Sequence, residues 1–203
     1  MKRLFILLAL FVSASCLAQV TEINEGIYQS YFNPALKEPL YVVYQLYQGG
    51  GTCSRLKKHF RFTVTRPDTA TPKDYAGSGY DEGHLADAED FASDCVKEAK
   101  TFEFFNCLPQ TPRLNRGIWK TWETKIRKDS QTKHLLVICG GIYGNKTIGN
   151  NVAVPDKCWK IVIDKASNKI LYCLLFPNDN SDSVNSTISL DDLKKQLGYE
   201  LKY

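Results

Sequence analysis

The 203-residue sequence predicts an α+β fold in which helices flank a central, largely antiparallel sheet. Residues 164–169 are polar and favour a hairpin turn, so the runs on either side of them should pair antiparallel. Residues 115–128 repeat large apolar side chains every three or four positions, which is the periodicity of a helix. Four short runs rich in apolar residues predict strands: 135–139, 152–155, 159–163 and 170–176.

The first half of the chain predicts further elements separated by turns. Residues 40–47 favour a strand, and the glycine triplet 49–51 ends it. We interpret the triplet as a turn because no Gly-Lys-Ser/Thr follows to make a phosphate-binding loop. The remaining predicted elements are a weak strand at 59–65, a loop at 66–80, a helix at 86–99, an extended segment at 101–108 and a short helix at 189–197 with Ser189 as its cap.

The N-terminus has the pattern of a secretory signal. Lys2 and Arg3 precede an apolar run at 4–12, and residues 16–18 fit a cleavage site. A membrane anchor is the alternative, but the run is short for a bilayer span. We therefore expect a signal peptide at 1–18 and a single domain at 19–203. The mature protein should be secreted or periplasmic, without membrane association.

The charge balance of the chain is only weakly basic. Lys and Arg number 26 against 22 Asp and Glu, a formal net charge of +4. Loss of Lys2 and Arg3 with the signal would leave about +2. Proteins that bind nucleic acid usually have a more basic surface, so composition alone favours such a partner weakly and predicts salt-sensitive binding.

Six cysteines follow the predicted signal, an even number that suggests disulfides in an exported chain. No Cys-x-x-Cys pair indicates a structural zinc site. Some of the thiols could instead be small buried apolar groups, as expected for Cys139 and Cys173 inside strand-like runs. We expect at least one bridge among Cys53, Cys95, Cys107, Cys139, Cys158 and Cys173.

Three residues suggest hydrolytic chemistry. His84 ends the tetrad Asp-Glu-Gly-His and could take a proton from water, while Gly83 before it allows an unusual backbone angle or a close approach. Asn115 and Glu123 could hold a hydrated Mg²⁺ through one amide oxygen and one bound water. The alternative is structural: His84 is hydrogen-bonded in a loop, Asn115 caps a helix, and Glu123 pairs with Arg127 on its surface. His59 and His134 are assigned only structural roles.

Two blocks of sequence resemble the DNA/RNA non-specific endonucleases, the ββα-metal nuclease family that includes mitochondrial endonuclease G. The first is residues 74–85 with Asp90-Phe91 after it. The second contains Asn106, Pro109-Gln110, Asn115-Arg116, Trp119 and Glu123 in the family's order and spacing. Later segments, Gly140 to Tyr143 and Val154 to Lys160, are similar to its post-helix strands, so the resemblance extends from about residue 41 to 176.

The resemblance implies a ββα-metal active-site motif and a role for each matching residue. His84 would be the general base. Asn115 would be the direct ligand of a single Mg²⁺ (or Mn²⁺), and Glu123 would hold one of its waters. DNA and RNA would be the substrates, cut without sequence specificity to leave 5′-phosphorylated ends. An inhibitor protein is a further candidate partner, and the oligomeric state stays open.

Further positions carry over as supporting residues. Arg127 would face the phosphate, and Asn106 would orient the site rather than bind metal. Arg61 most resembles the family's upstream arginine, although Arg55 and Arg66 compete for that role.

One departure from the family pattern is serious, because Glu82 stands where the tetrad usually has arginine. Loss of a comparable preorganised donor costs roughly 2–4 kcal/mol in the transition state. Glu82 could point away, leaving the phosphate to Arg61 and Arg127, or it could recruit a second cation. Asp87, where proline is common, favours a changed metal or substrate preference. The alternative function is a catalytically impaired nuclease-fold protein that binds nucleic acid or a protein partner.

Overall fold

The computed structural model describes residues 20–53, 60–181 and 187–203, and the predicted signal lies outside them. Six strands form one sheet in which every neighbouring pair is antiparallel, as the sequence predicts. In chain order they are β1 (Thr21–Asn24), β2 (Tyr28–Asn33), β3 (Glu38–Leu46), β6 (Leu135–Ile148), β7 (Val152–Asp164) and β8 (Lys169–Pro177), and this is also their order in the sheet. A separate two-stranded antiparallel ribbon consists of β4 (Asp81–His84) and β5 (Cys107–Gln110).

Along the sequence, three of the four described helices come between β3 and β6, and the fourth follows β8. They are α1 (Pro72–Tyr75), α2 (Cys95–Lys100), α3 (Lys120–Asp129) and α4 (Leu190–Leu197). Short 3₁₀ turns occupy Ala88–Phe91 and Phe104–Asn106, and a π-helical turn, Leu114–Trp119, leads directly into α3. Ser189 caps α4 by accepting a hydrogen bond from the backbone of Asp192 at 3.1 Å, which confirms the predicted cap.

Alternation along the central strand β7 divides the core into two layers. Cys158 and Val162 face one layer, together with Trp119 and Ile126 of the helical segment. Trp159, Ile161 and Ile163 face the opposite layer, where Leu193 and Leu197 of α4 cover the sheet. The sheet therefore supports the helix that carries Glu123 on one face and the C-terminal helix on the other.

Strand β7 is longer than the two runs predicted within it. Residues 152–155 and 159–163 belong to one strand, because Asp156 is accommodated as an extra residue where the register with β6 shifts between Ile142 and Tyr143. The polar interruption that suggested two strands is thus a β-bulge.

Three other predictions were wrong in detail. The helix predicted at 86–99 is broken, because the side chains of Asp87 and Asp94 each accept a backbone hydrogen bond and start a separate turn. Residues 101–108 are not extended throughout, since a 3₁₀ turn precedes β5. In the described part of the predicted strand 59–65, only Thr63 forms a bridge, with Glu103, and His59 lies outside the described residues.

One disulfide joins Cys53 to Cys95, which confirms the expectation of at least one bridge. Four more cysteines lie among the described residues, and all are buried thiols: Cys107, Cys139, Cys158 and Cys173. For Cys139 and Cys173 this is the alternative that the sequence suggested. The bridge fastens the segment after β3 to the start of α2. In the part of the chain that the structure describes, no helix is both long enough and apolar enough to cross a bilayer.

Candidate active site

A cavity of about 680 Å³ opens between β4, the π-helical turn and α3. It brings together four of the residues singled out in the sequence: His84, Asn115, Glu123 and Arg127. We call it the catalytic cavity. The other residues that line it are Glu82, Asp87, Glu89, Arg116, Lys120 and Thr124.

The position of His84 is set by the ribbon that carries it. β4 pairs with β5, and Gly83 is in register with Leu108. A Cβ atom at Gly83 would lie only 2.1 Å from Oε1 of Gln110, so the glycine leaves room for the buried side chain of Gln110 to cross β4. Of the two uses that the sequence suggested for this glycine, close approach is the one found.

The imidazole of His84 is held by aromatic rings on two sides. The rings of Phe62 and Phe102 each lie with their centroids 4.7 Å from that of His84. The indole of Trp119 donates a hydrogen bond of 3.1 Å to the backbone carbonyl of His84. Helix and ribbon are thereby joined at the residue expected to act as base, and the ring has little freedom to turn.

Asn106 holds the chain just after His84 and does not line the catalytic cavity. Its side-chain nitrogen donates to the carbonyls of Ala86 at 3.0 Å and Thr101 at 2.8 Å. Its side-chain oxygen accepts from the backbone of Ala86 at 2.9 Å. The fully buried amide fixes the chain immediately after His84, a position suited to orienting the site.

Asn115 is not the cap of its helix, so that structural alternative is wrong. The helical segment begins at Pro112, and Thr111 before it accepts a hydrogen bond of 3.3 Å from the backbone of Leu114 through its hydroxyl. The side-chain nitrogen of Asn115 donates instead to Asp81 at 3.0 Å, and Arg116 grips the same carboxylate with bonds of 2.8 and 2.6 Å. Because Asp81 holds the NH₂ group, the amide oxygen is turned to the opposite side. Burial opposes ionisation of Asp81, but the bonds from Arg116 and Asn115 outweigh it and lower its pKa.

The second structural alternative, a surface pair between Glu123 and Arg127, is also wrong. Glu123 is only 9% exposed, and Arg127 forms an ion pair with Asp87 and donates a hydrogen bond of 3.1 Å to Asp90. Tyr44 donates a further hydrogen bond of 3.0 Å to Asp90. Burial, reinforced by the negative charge of Asp87, raises the pKa of Asp90 to about 8.

The ion pair with Arg127 explains why an acidic residue stands at position 87, which the sequence alone did not. The carboxylate of Asp87 is buried against the guanidinium of Arg127, where it fixes the direction of that side chain. A separate metal preference is not needed to account for an acid at this position.

Lys160, which sequence analysis treated only as part of a strand, lies beneath Glu123. Its side chain is fully buried, with Nζ 4.0 Å from Oε1 of Glu123 and 3.8 Å from the ring centroid of Trp119. Burial raises the pKa of Glu123, Asp87 adds to this, and Lys160 opposes it. The sequence could have singled out Lys160, because a lysine between Cys158 and Val162 on the buried face of a strand requires a partner.

Arg61 lies in a neighbouring cavity of about 410 Å³ rather than among the residues that line the catalytic cavity. Glu82 lines both cavities, so the two meet at this residue. Of the competing arginines, Arg66 is bound to Asp68 with its shorter bond at 2.7 Å, and Arg55 lies outside the described residues. The neighbouring cavity, which we call the aromatic cavity, is lined by Phe60, Arg61, Phe62, Pro72, Glu82 and Phe102.

The oxygen donors of the catalytic cavity fit a hard divalent cation that keeps most of its waters. The amide oxygen of Asn115 is oriented by Asp81, and Glu123 lines the same cavity. Oε1 of Glu123 is buried towards Lys160 and has no hydrogen-bond partner among the described residues. Residues 20–53, 60–181 and 187–203 contain no cluster of three or more His, Cys, Asp or Glu that could hold a metal. An ion here would therefore rely on few direct protein ligands, as Mg²⁺ commonly does.

Two curated relatives of the chain are nucleases. A nuclease from Nostoc sp. is 36% identical over 146 residues, which cover 64% of this chain and 53% of the relative. Mitochondrial endonuclease G from Bos taurus is 32% identical over 154 residues, which cover 67% of this chain and 52% of the relative. The chain therefore spans about half the length of these curated relatives.

The fold has a counterpart among solved structures. A crystal structure of an EndoG/EndoGI complex matches with a TM-score of 0.73 and 22% identity, over 87% of this chain and 83% of that chain. A profile of the DNA/RNA non-specific endonucleases matches residues 13–203, nearly the whole sequence. The chain therefore belongs to the DNA/RNA non-specific endonuclease family, whose members are generally metal-dependent.

Proposed function

We propose that the protein is an exported, Mg²⁺-dependent endonuclease that hydrolyses phosphodiester bonds of DNA and RNA without sequence specificity. The observation that carries the proposal is the shared cavity of His84, Asn115 and Glu123. The expected base, ligand and water-holding residue come from two different elements, β4 and the helical segment, yet they converge on one space large enough for a phosphodiester.

His84 would act as the general base. The imidazole can accept the proton of a water molecule as that water attacks phosphorus. Phe62 and Phe102 hold the ring, and Trp119 holds the backbone, so the base is oriented before substrate arrives. This preorganisation keeps the imidazole from turning into orientations in which it could not accept the proton.

Asn115 and Glu123 would hold the cation on the other side of the scissile bond, Asn115 directly and Glu123 through a water. A bound Mg²⁺ or Mn²⁺ supplies charge stabilisation for the departing oxygen. Asp81 orients the amide of Asn115, and Lys160 compensates the buried charge of Glu123. The chain's own contribution is thus to fix two oxygens in place and to prevent each from turning elsewhere.

The phosphate would be bound by cations at the cavity wall. Arg127 lines the cavity, and its two carboxylate partners fix the direction of its guanidinium. Arg116 and Lys120 add positive charge at the same cavity. Contacts of this kind recognise the backbone rather than the bases, which agrees with cleavage without sequence specificity.

A second candidate function is supported by Glu82, whose carboxylate lines the same cavity as His84. Its charge would repel a phosphodiester, and in that case the protein would bind nucleic acid or a protein partner without cutting. That the structural neighbour is EndoG in a complex concerned with its inhibition supports an inhibitor protein as a candidate partner here too.

Plasmid nicking separates the two functions. The purified mature protein is incubated with supercoiled plasmid in Mg²⁺, in excess chelator, and in chelator followed by restored Mg²⁺. An endonuclease produces nicked circles in the first and third conditions only. A retarded but intact plasmid in all three would favour the binding protein and contradict the enzyme.

A further inference from the structure

The aromatic cavity adjoins the catalytic cavity across a single side chain. Glu82 lines both, and Phe62, which forms a wall of the aromatic cavity, also packs against the ring of His84. Whatever occupies the aromatic cavity therefore lies beside the phosphate that His84 would serve. In a nucleic acid, the group next to a backbone phosphate is the sugar and base of the adjoining nucleotide.

The walls of the aromatic cavity have the chemistry of a base-stacking site. The ring of Phe102 lies with its centroid 5.4 Å from that of Phe60 and 5.5 Å from that of Phe62. Phe60 and Phe62 are only partly buried, so parts of their rings stay accessible. Unpaired bases stack on such rings, and the volume of about 410 Å³ lies within the roughly 300–1,000 Å³ of small-molecule sites.

The two charged residues of the aromatic cavity complete a nucleotide site. Arg61 is exposed at its edge and can attract a flanking phosphate or stack on a base. An ionised Glu82 can only accept hydrogen bonds. It therefore pairs with the exocyclic amino group of cytosine, adenine or guanine, and it faces only one ring N–H flanked by carbonyl oxygens in thymine or uracil.

We infer that the aromatic cavity binds the unpaired base next to the scissile phosphate, and that Glu82 selects bases with an exocyclic amino group. The inference rests on the proposed function, because it takes the phosphate to lie in the catalytic cavity. It explains a carboxylate where the family has arginine: some contact with phosphate is exchanged for contact with a base. Single strands are favoured, since a base in a duplex must first be unstacked and unpaired.

Binding measurements test the inference apart from hydrolysis. In a His84→Ala background with Mg²⁺, affinities for fluorescent dC12, dT12 and a 12-base-pair duplex are measured by anisotropy above pH 7. We expect about tenfold tighter binding of dC12 than of dT12, the effect of one hydrogen bond to a charged group. Adding Glu82→Gln should abolish this preference, because an amide can both donate and accept.

Phe60→Ala tests the stacking wall. We expect single-strand affinity to fall about 5- to 150-fold with duplex affinity unchanged, and Phe60→Trp to restore it. Tyr47→Ala is the matched control, because Tyr47 is an exposed aromatic outside the aromatic cavity and should leave all three affinities unchanged. Equal binding of dC12 and dT12, or an equal loss on single strand and duplex in Phe60→Ala, would overturn the inference.

Failure of the inference is distinguishable from failure of the proposed function. Wild-type protein and the Tyr47→Ala control, both with His84 intact, are assayed for nicking of duplex plasmid in Mg²⁺. We expect equal nicking rates, because Tyr47 lines neither the catalytic cavity nor the aromatic cavity. Nicking by wild type, together with equal binding of dC12 and dT12 in the His84→Ala background, would refute the base site alone. No nicking by wild type would refute the proposed function.

Discussion

Nζ of Lys160 lies 4.0 Å from Oε1 of Glu123, and neither atom has a hydrogen-bond partner among the described residues. The two residues belong to a strand of the sheet and to the helix that crosses it, so their contact couples the core to the catalytic cavity. Trp119 completes the arrangement, with its ring 3.8 Å from the ammonium and its indole N–H bonded to the backbone of His84. A buried cation is therefore part of the support for both the expected base and the expected metal-binding carboxylate.

Replacing Lys160 with methionine should destabilise the protein substantially. Methionine has a similar shape but leaves Glu123 buried without its compensating charge, and removing one member of a buried pair costs about 3–5 kcal/mol. We expect urea unfolding near neutral pH to give a fall of that order. Lys157→Met is the matched control on the same strand, because the ammonium of Lys157 bonds to Gln196 at the surface and its loss should change stability by less than about 0.5 kcal/mol.

A double variant distinguishes loss of charge compensation from loss of packing. If the cost arises from an uncompensated carboxylate, Lys160→Met with Glu123→Gln should be more stable than Lys160→Met alone. Strictly additive losses would contradict the assigned pairing.

Asp81→Asn should weaken the binding of Mg²⁺ without unfolding the protein. The change removes the bidentate partner of Arg116 and releases the NH₂ group that fixes the amide of Asn115. Loss of such outer partners typically weakens metal binding about 10- to 100-fold. The Mg²⁺ concentration for half-maximal nicking should rise by that factor. Asp68→Asn removes a similar bidentate arginine pair at Arg66 and should leave the value unchanged.

The buried Asp90 should make stability depend on pH in a defined direction. Its pKa is raised from the ordinary value to about 8, so the folded state keeps a proton that the unfolded chain has lost. The contribution of Asp90 to stability is complete below its unfolded pKa and is lost as pH rises through the folded one. The free energy of unfolding of wild type, minus that of Asp90→Asn, should therefore decrease from pH 4 to pH 8. A difference that increased over this range would show that Asp90 is ionised in the fold.

The Cys53–Cys95 bridge should stabilise the fold by restricting the unfolded chain. It closes a loop with a sequence separation of 42, for which the entropic contribution is roughly 4 kcal/mol at most. Urea unfolding of a Cys53→Ala/Cys95→Ala variant should show a loss of about 2–4 kcal/mol. A reducing agent should destabilise wild type and have no effect on that variant, since the four other cysteines among the described residues are unpaired. An equal response of both proteins would contradict a structural role for this bridge.

Local patterns predicted the parts of the fold that depend on local chemistry. Short runs rich in apolar residues predicted β7 and β8, and the serine at 189 predicted the start of α4. The helix at 86–99 could not be excluded by composition, because what breaks it is the geometry of two aspartate side chains bonding to their own backbone.

The spacing of residues along the sequence could not predict which distant segments would contact each other. The similarity of two sequence blocks identified His84, Asn115 and Glu123 together, but not what holds them. Arg127 meets Asp87 across 40 positions, and Asn115 meets Asp81 across 34. Spacing alone predicts only local roles for Arg127 and Asn115, because a helix places neighbours at i+4. The folded chain is needed to bring Asp81 of β4, and Asp87 after it, to the helix.

The most direct test of the account is the rate at which His84→Ala nicks supercoiled plasmid in Mg²⁺, compared with wild type at equal protein concentration. Loss of a general base predicts a rate about 10²- to 10⁴-fold lower, with thermal stability and duplex binding retained. A variant that nicks at the wild-type rate would contradict the assignment of the imidazole as the group that activates water.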